Sequence, residues 1–577
     1  MRVEDIFHQQ PPQTGNPYLT DPVLPKLLRR LLSKDALDVV NSDLVRLGDE
    51  LVNEIRPIAP LVKEPTLTQY DAWGNRVDVL QVSEGWKILK DFACKEGVIS
   101  IPYERRFGDQ SRVWSFAKCV LMVADCHVVL CPYSMTDGAA RVMEISGTEK
   151  MKREILPRLM SRDPKTAYTS GQWMTESPGG SDVSRTETTA QAVSDEQSSD
   201  LGPAYQLDGF KWFSSAAEGN MSIALGRDPS SQRLSLFLVP VRLGPFPTPL
   251  SNNILLHRLK DKFGTKALPT AELSLNGARA WLIGAPGAGV RTIAPVLNIT
   301  RVHSSVSGVG SLMRCLSLAR AYAQVRVVDK DKLLQTVPAH METLARVGLL
   351  YRALTHLLFG VVSLLGKSEC GTASRSEEAR LRILTPTLKA FSAMKSVTAM
   401  EDCMAALGGQ GYMEELGIGR LIRDAMVEKI WEGTVGVLAH DLMRASRGKD
   451  AVQFFVTWCR DIIASAPSDM RTSQPADNLR HGADMLPSQF ELAHTHSLVQ
   501  RPILQMLALL ASSTYLLEHA IWSRANESAE QASLDWHVFE RWMGEGGFSE
   551  ISDEIGKMSE AHPERILLNE RIVGSRL

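Results

Sequence analysis

Two short segments in the first half of the chain combine residues that suit a flat, charged ligand. Residues 174–183 read MTESPGGSDV, a Gly-rich turn whose backbone N–H and hydroxyl groups can approach a polar ligand edge or a phosphate. About 30 residues later, residues 211–215 read KWFSS on a predicted strand. An aromatic followed by a hydroxyl can stack on a ring and hydrogen-bond its edge. Taken alone, the first segment is equally typical of an ordinary tight loop.

Two further segments lie in a later helical region. Residues 407–412 read LGGQGY, and Glu415, Arg420 and Asp424 follow. Three glycines within helical sequence are costly unless the backbone must approach something closely, although a simple interhelix turn explains them too. Residues 430–434 read IWEGT. A carboxylate beside a large aromatic and a glycine suits a desolvated base, whereas an isolated Trp-Glu pair is also typical of a solvated surface.

The elements that must position these segments change character along the chain. The spacing of apolar residues predicts helices over 84–159, including a core helix over Val113–Leu130. Short alternating runs between about 204 and 284 predict strands, and long apolar helices are expected over 290–443 and beyond 450. The predicted segments are an extension (1–60), a helical domain (61–170), a β domain (171–289), a four-helix bundle (290–448) and an extra helical domain (449–577).

Composition excludes several classes of protein. A net charge of −2 gives no sign of a nucleic-acid or membrane partner. The eight cysteines contain no C-x-x-C pair, which argues against a disulfide framework and a zinc site and favours a reducing compartment. His494 and His496 have no companions at metal-ligand spacing, so no metal is predicted. The apolar stretch 347–366 contains Arg352 and His356 and predicts a buried helix, not a membrane span.

Both ends of the sequence bear on location. The N-terminal residues are polar and lack the apolar core of a secretory signal. The chain ends in Ser575-Arg576-Leu577, close to the S-K-L address of peroxisomal proteins. An intracellular protein is therefore expected, and a peroxisomal one is an open alternative.

The four segments, in this order, resemble the acyl-CoA dehydrogenase superfamily over roughly residues 70–445. The likeness extends to the AidB-like subgroup, the bacterial alkylation-response flavoproteins. The stretches that support this narrower resemblance are NPYLTDPVL, QYDAWGNRVDVL, CPYSMTDGA, KWFSS, RLKDKFGTKALPT and IWEGT.

The resemblance implies an α+β, mainly α fold. An N-terminal helical domain, a middle β-barrel and a C-terminal four-helix bundle are expected, followed by an extra helical domain. FAD is expected in an extended conformation between these domains and across a subunit interface. A homotetramer built as a dimer of dimers is expected as well.

The resemblance also assigns roles to residues. Glu432 takes the position of the base that removes the α-proton of an acyl-CoA, and Arg301 matches an arginine near that base. Ser215 is expected near flavin N5, Ser181 near the diphosphate, and Arg326 against the FAD of a neighbouring subunit. The positions expected to bind the cofactor are Met174, Thr175, Gly180, Ser181, Phe213, Ser214, Ser215, Arg326, Gly409, Trp431 and Thr434.

Three positions depart from the family pattern. Val327-Val328 replaces a Phe-Gly pair, Ala405 stands where Gln or Glu is common, and Gly436 where many relatives have Gln or Asn. All three concern the adenine and diphosphate ends of FAD. The expected base and flavin-edge positions are unchanged.

The implied reaction is desaturation of an acyl-CoA between Cα and Cβ, with an unknown electron acceptor. One alternative is an AidB-like protective or nucleic-acid-associated flavoprotein. Residues 446–577 contain twelve Lys or Arg and eighteen Asp or Glu, a net charge of −6, which disfavours a phosphate-binding surface. Another alternative is an oxidase that passes electrons to oxygen, which a peroxisomal address would favour.

Overall fold

A computed structural model describes residues 10–193, 201–244, 252–329, 331–560 and 562–574. The chain is mostly helical, at 64%, and divides into two compact units. We call Arg46–Arg106 with Trp114–Ser304 the barrel unit, and the chain up to Val45, Phe107–Val113 and from Ser305 onward the helical unit. The C-terminal tripeptide 575–577 and the first nine residues lie outside the described residues.

The helices and strands are numbered in chain order. The helices are α1 (Leu24–Leu31), α2 (Lys34–Glu50), α3 (Glu84–Lys95), α4 (Ser100–Glu104), α5 (Gln110–Met122), α6 (Leu130–Ser146), α7 (Glu149–Glu154), α8 (Leu156–Leu159), α9 (Gly289–Val325), α10 (Pro338–Cys370), α11 (Arg375–Ala406), α12 (Ile418–Met426), α13 (Val435–Ser446), α14 (Lys449–Ser465), α15 (Ser468–Arg471), α16 (Gln474–Thr495), α17 (Gln500–Asn526), α18 (Ala529–Glu545), α19 (Phe548–Glu560) and α20 (His562–Ile572). The strands are β1 (Thr66–Tyr70), β2 (Arg76–Gln81), β3 (Ser170–Trp173), β4 (Thr189–Ala192), β5 (Ala204–Ser215), β6 (Met221–Arg227), β7 (Leu234–Pro240), β8 (Ile254–Leu259), β9 (Thr270–Ile283), β10 (Val327–Val328) and β11 (Lys332–Leu333).

The helix predicted over Val113–Leu130 is wrong as a single element. Helix α5 ends at Met122, whose carbonyl accepts hydrogen bonds from the backbone N–H groups of Cys126 (2.8 Å) and, at 3.1 Å, Asp125. His127 then adopts a left-handed backbone with φ of 50°. That conformation cannot continue a right-handed helix, so α6 begins only at Leu130. Both helices are buried, which is why their apolar pattern reads as continuous.

The β domain of the barrel unit is a seven-stranded sheet. Its strands pair in the order β3-β6-β4-β5-β9-β7, β8 adds to β9, and the further pairing of β6 with β7 closes the sheet. Buried apolar side chains such as Leu207, Phe237, Leu256 and Leu273 fill it. The predicted order of helices, β-barrel and helices is confirmed, while the five domain boundaries stay predictions.

The helical unit is organised around three long helices. Helices α10, α11 and α17 pack against one another and bury most of their lengths. Helix α10 is long and apolar enough to cross a membrane by length and composition, yet 78% of its most apolar window is buried inside the protein. A helix with this burial is typical of a bundle core, as the sequence predicts.

A polar cluster lies within this apolar packing. His356 on α10 and His519 on α17 are almost fully buried, with ring centroids 4.6 Å apart. The charged groups that act on His519 are Arg30, Arg352, Asp535 and Lys26. Burial and the nearby guanidinium groups lower the pKa of His519 to about 3 and that of His356 well below its ordinary value. Both imidazoles are therefore neutral in the folded protein.

This cluster makes stability depend on pH. An unfolded histidine takes up a proton below a pKa of about 6.5, whereas the folded pair does not, so stability is full above that pH and falls as the pH is lowered toward the folded pKa. For each of these histidines, the free energy of unfolding falls by about 1.4 kcal/mol for every pH unit below about 6.5. The free energy of unfolding can be measured with urea at pH 7.5 and at pH 5.0. In His519→Gln, the difference between these two free energies should be smaller than in the unmodified protein by about 2 kcal/mol. His537→Gln, on an exposed side chain, should leave it unchanged.

Candidate functional site

A buried ion pair fixes the first candidate segment. The Glu176 carboxylate accepts hydrogen bonds at 2.6 Å from both the Lys211 ammonium and the Thr188 hydroxyl, and another from the backbone N–H of Glu187. Lys211 is 0% exposed and Glu176 4%. Burial alone would raise the pKa of Glu176, but Lys211 and the surrounding donors hold it below its usual value. The pair joins the 174–183 loop to strand β5.

The same two segments are joined through the backbone. The N–H of Trp212 donates to the carbonyl of Thr175 at 3.0 Å. A Cβ added to Gly180 would lie 2.9 Å from Oγ1 of Thr175, so this glycine allows the loop to fold close to that hydroxyl. The structure thus brings together the Thr175–Ser181 turn and the KWFSS segment.

A β-bulge re-aims the side chains at the end of β5. Lys211 pairs with Leu273, but Ser214 pairs with Ala271, so one extra residue lies between these two pairs. As a result Trp212 and Phe213 both point away from the barrel interior, and Phe213 is 49% exposed. Lys260 lies over both rings, 3.4 Å from the Trp212 centroid and 4.6 Å from that of Phe213.

The two serines after Phe213 differ in orientation. Ser215 shares the half-exposed side with Phe213, and its hydroxyl lies 3.0 Å from that of Thr270. Ser214 is fully buried on the other side, and within the described residues its hydroxyl has no partner. An exposed aromatic face, a hydroxyl beside it and a turn rich in N–H donors fit the ring and diphosphate of a flavin nucleotide.

In the helical unit, the LGGQGY segment forms a short turn after α11. Gly408 has φ of 61°, which favours glycine. A Cβ on Gly411 would lie 2.1 Å from the carbonyl oxygen of Met404, so packing alone requires glycine there. A Cβ on Gly409 would meet nothing within 4 Å. Gly409 therefore leaves open space at the surface, which suits a position that a ligand approaches.

Glu432 stands in a strained turn. Its φ is 56°, an uncommon conformation for a residue with a side chain, and Gly433 follows with φ of 100°. Such a conformation costs about 1–3 kcal/mol and persists only where the surroundings impose it. Thr434 then caps α13, its hydroxyl accepting a hydrogen bond from the backbone N–H of Val437 at 3.3 Å.

Lys389 on α11 imposes that turn. Its side chain is fully buried, and Nζ donates to the carbonyl oxygens of Trp431 at 2.5 Å and Gly433 at 2.7 Å. These two carbonyls flank Glu432 on either side. This lysine could not be recognised from the sequence, because nothing in a helix-forming stretch marks one residue as the anchor of a turn more than forty positions away.

The tryptophan beside Glu432 has a different partner from the one its position suggests. The indole N–H of Trp431 donates to the carboxylate of Glu428, a residue only 3% exposed. The aromatic thus pairs with this second carboxylate, which belongs to none of the four candidate segments. Glu432 itself is half-buried.

The remaining candidates belong to different parts of the chain. Arg301 is half-buried on α9, in the barrel unit, and Arg326 is exposed just after α9, in the helical unit. His303 is a core residue: its Nε2 lies 2.9 Å from Oδ2 of Asp137, and its ring packs on Phe116. Among the described residues, no cluster of His, Cys, Asp and Glu suits a metal ion.

The chain matches three family models in succession. They are the adaptive response protein AidB N-terminal domain over residues 9–164, the acyl-CoA dehydrogenase middle domain over 171–278, and the acyl-CoA dehydrogenase C-terminal domain over 287–446. The last two cover the segments that contain the candidate site.

Individual relatives agree with these models. Acyl-CoA dehydrogenase family member 11 of Caenorhabditis elegans is 41% identical over 77% of this chain and 73% of that protein. Its crystal structure in complex with C11-CoA gives a TM-score of 0.84 at 36% identity, covering 93% of this chain and 92% of that one. The putative acyl-CoA dehydrogenase AidB of Escherichia coli is 29% identical over 76% of this chain and 80% of that protein.

A more distant structure shares the fold alone. The acyl-CoA dehydrogenase of Bacillus anthracis complexed with FAD is 17% identical, with a TM-score of 0.71 over 94% of this chain and 91% of that one. With three consecutive domain models and a 41% identical relative of similar extent, the chain belongs to the acyl-CoA dehydrogenase family.

Proposed function

We propose that the chain desaturates an acyl-CoA between Cα and Cβ, with Glu432 as the base. The observation that supports this most directly is the strained turn at Glu432, fixed from both sides by the buried Lys389. Strain of this kind concentrates at active sites, where a side chain must be held in one place. The C11-CoA bound to the Caenorhabditis elegans relative supports a CoA thioester as the substrate.

Family membership makes FAD the cofactor, and when bound it supplies the acceptor for a hydride. Thr175 and Ser215 would contact the flavin ring edge, with Phe213 against the ring and Ser181 at the diphosphate. Arg326, exposed after α9, would reach the cofactor of a neighbouring subunit in a dimer of dimers. The other residues proposed to bind FAD are Met174, Gly180, Ser214, Gly409, Trp431 and Thr434.

In the proposed reaction the Glu432 carboxylate takes the α-proton of the thioester. The β-hydrogen leaves with its electron pair, and the α-C–H electrons form the new Cα–Cβ double bond. Holding the carboxylate in one orientation converts an encounter into an intramolecular step, which lowers the barrier. Arg301, on α9 of the barrel unit, is the second residue proposed for the catalytic step, from its match to the family arginine.

An AidB-like protective role is the second candidate, supported by the match of residues 9–164 to the AidB N-terminal domain. The net charge of −6 over residues 446–577 argues against a nucleic-acid surface there. Oxygen as the electron acceptor is supported only by the tripeptide 575–577, which also supports a peroxisomal location. The rate at which oxygen reoxidises the reduced protein would separate an oxidase from a dehydrogenase.

Removing the proposed base should stop the chemistry while leaving the cofactor in place. In Glu432→Gln, the rate at which acyl-CoAs bleach the flavin spectrum without oxygen should fall by about 10²–10⁴-fold, because the amide cannot accept the proton. FAD content should be unchanged. Glu401→Gln, an exposed carboxylate on α11, is the matched control and should bleach normally. Normal bleaching in Glu432→Gln would disprove the assignment of the base.

Loosening the turn should have a related but smaller effect. Lys389→Met removes both hydrogen bonds to the carbonyls that flank Glu432, so kcat should fall about 10–100-fold with little change in KM or FAD content. Because two buried carbonyls lose their donor, stability should also fall, by about 1–3 kcal/mol per group.

Lys395→Met tests whether any lysine of α11 has this effect. Lys395 is half-buried and its ammonium lies 5.7 Å from the Phe391 ring, away from the carbonyls of the turn. It should leave kcat unchanged. A Lys389→Met protein that unfolds more easily but turns over at the normal rate would show that Lys389 is structural only.

A further inference from the structure

The hydroxyl of Ser215 is the last member of a hydrogen-bonded chain that begins at a lysine. Ser215 ends β5 and Thr270 begins β9, where the two residues are direct partners in the sheet. Their hydroxyl oxygens are 3.0 Å apart. Lys262, in the segment between β8 and β9, donates from Nζ to Oγ1 of Thr270, also at 3.0 Å. All three residues lie in the barrel unit.

The lysine is held firmly in this position. Its ammonium also donates to the carbonyl oxygens of Thr265 and Leu268, both at 2.7 Å. An ammonium has three hydrogens and no lone pair, so Lys262 can only donate. These contacts fix the cation next to a threonine that is itself 3% exposed.

The chemistry of the three groups gives the chain a direction. A hydroxyl has one hydrogen and two lone pairs. Thr270 accepts from Lys262, and its own hydrogen is then available for Ser215, which leaves the hydrogen of Ser215 free to donate outward on the side where Phe213 is exposed. A charged donor at one end polarises each following bond and strengthens the last donor.

We propose that Lys262, through Thr270, makes Ser215 a strong donor toward flavin N5 and raises the reduction potential of the bound FAD. This rests on the proposed function, which places Ser215 near N5. The cation stabilises the electron-rich, reduced cofactor over the oxidised one. Lys262 and Thr270 are positioning residues, since neither is proposed to touch the substrate.

The test is the midpoint potential of the purified holoenzyme, measured by anaerobic reductive titration against a reference dye. In Lys262→Met, the ratio of reduced to oxidised flavin at a fixed potential should fall about tenfold, equal to about 30 mV for a two-electron couple. Lys266→Met is the control, because this lysine lies in the same segment, is 46% exposed and pairs with Glu64. It should not shift the potential.

A double-mutant cycle separates the chain from a general effect of charge. Ser215→Ala should lower the potential. Adding Lys262→Met should then lower it little further, because the last hydrogen bond of the chain, from Ser215 to N5, is already absent. Thr270→Val should act like Lys262→Met with the cation still present. If Lys262→Met prevents folding, Thr270→Val and Ser215→Ala give the same comparison.

The possible results are distinct. Additive shifts of the midpoint potential in the double variant would disprove the role of the hydrogen-bonded chain, and so would equal shifts in Lys262→Met and Lys266→Met. Either result would leave the proposed function unaffected. An unchanged potential in Ser215→Ala would overturn the placement of Ser215 near N5, and with it both proposals for this part of the site.

Discussion

A buried ammonium group must be given acceptors, and each compact unit of this protein meets that requirement at its candidate site. Taking a charge out of water costs several kcal/mol unless hydrogen bonds and an opposite charge replace the solvent. Lys211 meets Glu176 in the barrel unit, and Lys389 meets two carbonyls in the helical unit; both side chains are 0% exposed. Because the cost of losing these partners is high, the loops that supply them are held in one conformation.

The two lysines act on different kinds of partner. Lys211 binds a side chain, so it fixes where the 174–183 loop meets β5 without setting the backbone angles of that loop. Lys389 binds main-chain carbonyls, so it fixes the backbone itself, on both sides of Glu432. The second arrangement acts directly on the backbone at Glu432, whose φ is 56°. The hydrogen bonds of the buried Lys389 therefore hold the strained backbone at Glu432.

Much of the fold is readable from the sequence because it depends on local patterns. Alternating apolar residues gave the strands around β5 and β9, and long apolar repeats gave α10 and α11. The break between α5 and α6 was not readable, since both flanks are buried and the left-handed His127 has no signature in composition. The candidate segments were found because their glycines and hydroxyls lie close together in the chain.

The parts of the site that the sequence did not reveal are those set by distant contacts. The β-bulge at Trp212 and Phe213 depends on how β5 meets β9, more than fifty residues later. The contacts of Lys389 and the chain from Lys262 to Ser215 also join residues through folding. A lysine in a helix or a loop reads as a solvated charge until the structure shows that its ammonium is surrounded.

Buried polar groups alone do not identify a functional site in this protein. His356 and His519 are almost fully buried as well, yet among the described residues neither they nor their neighbours in the sequence have a left-handed backbone. At Glu432 three features coincide: a buried anchor, an unfavourable backbone conformation and a half-exposed carboxylate. An apolar replacement of the anchor would fill the same space but leave the two carbonyls without their donor. It would not hold two carbonyls apart around a base, which is the property that distinguishes this lysine from ordinary core packing.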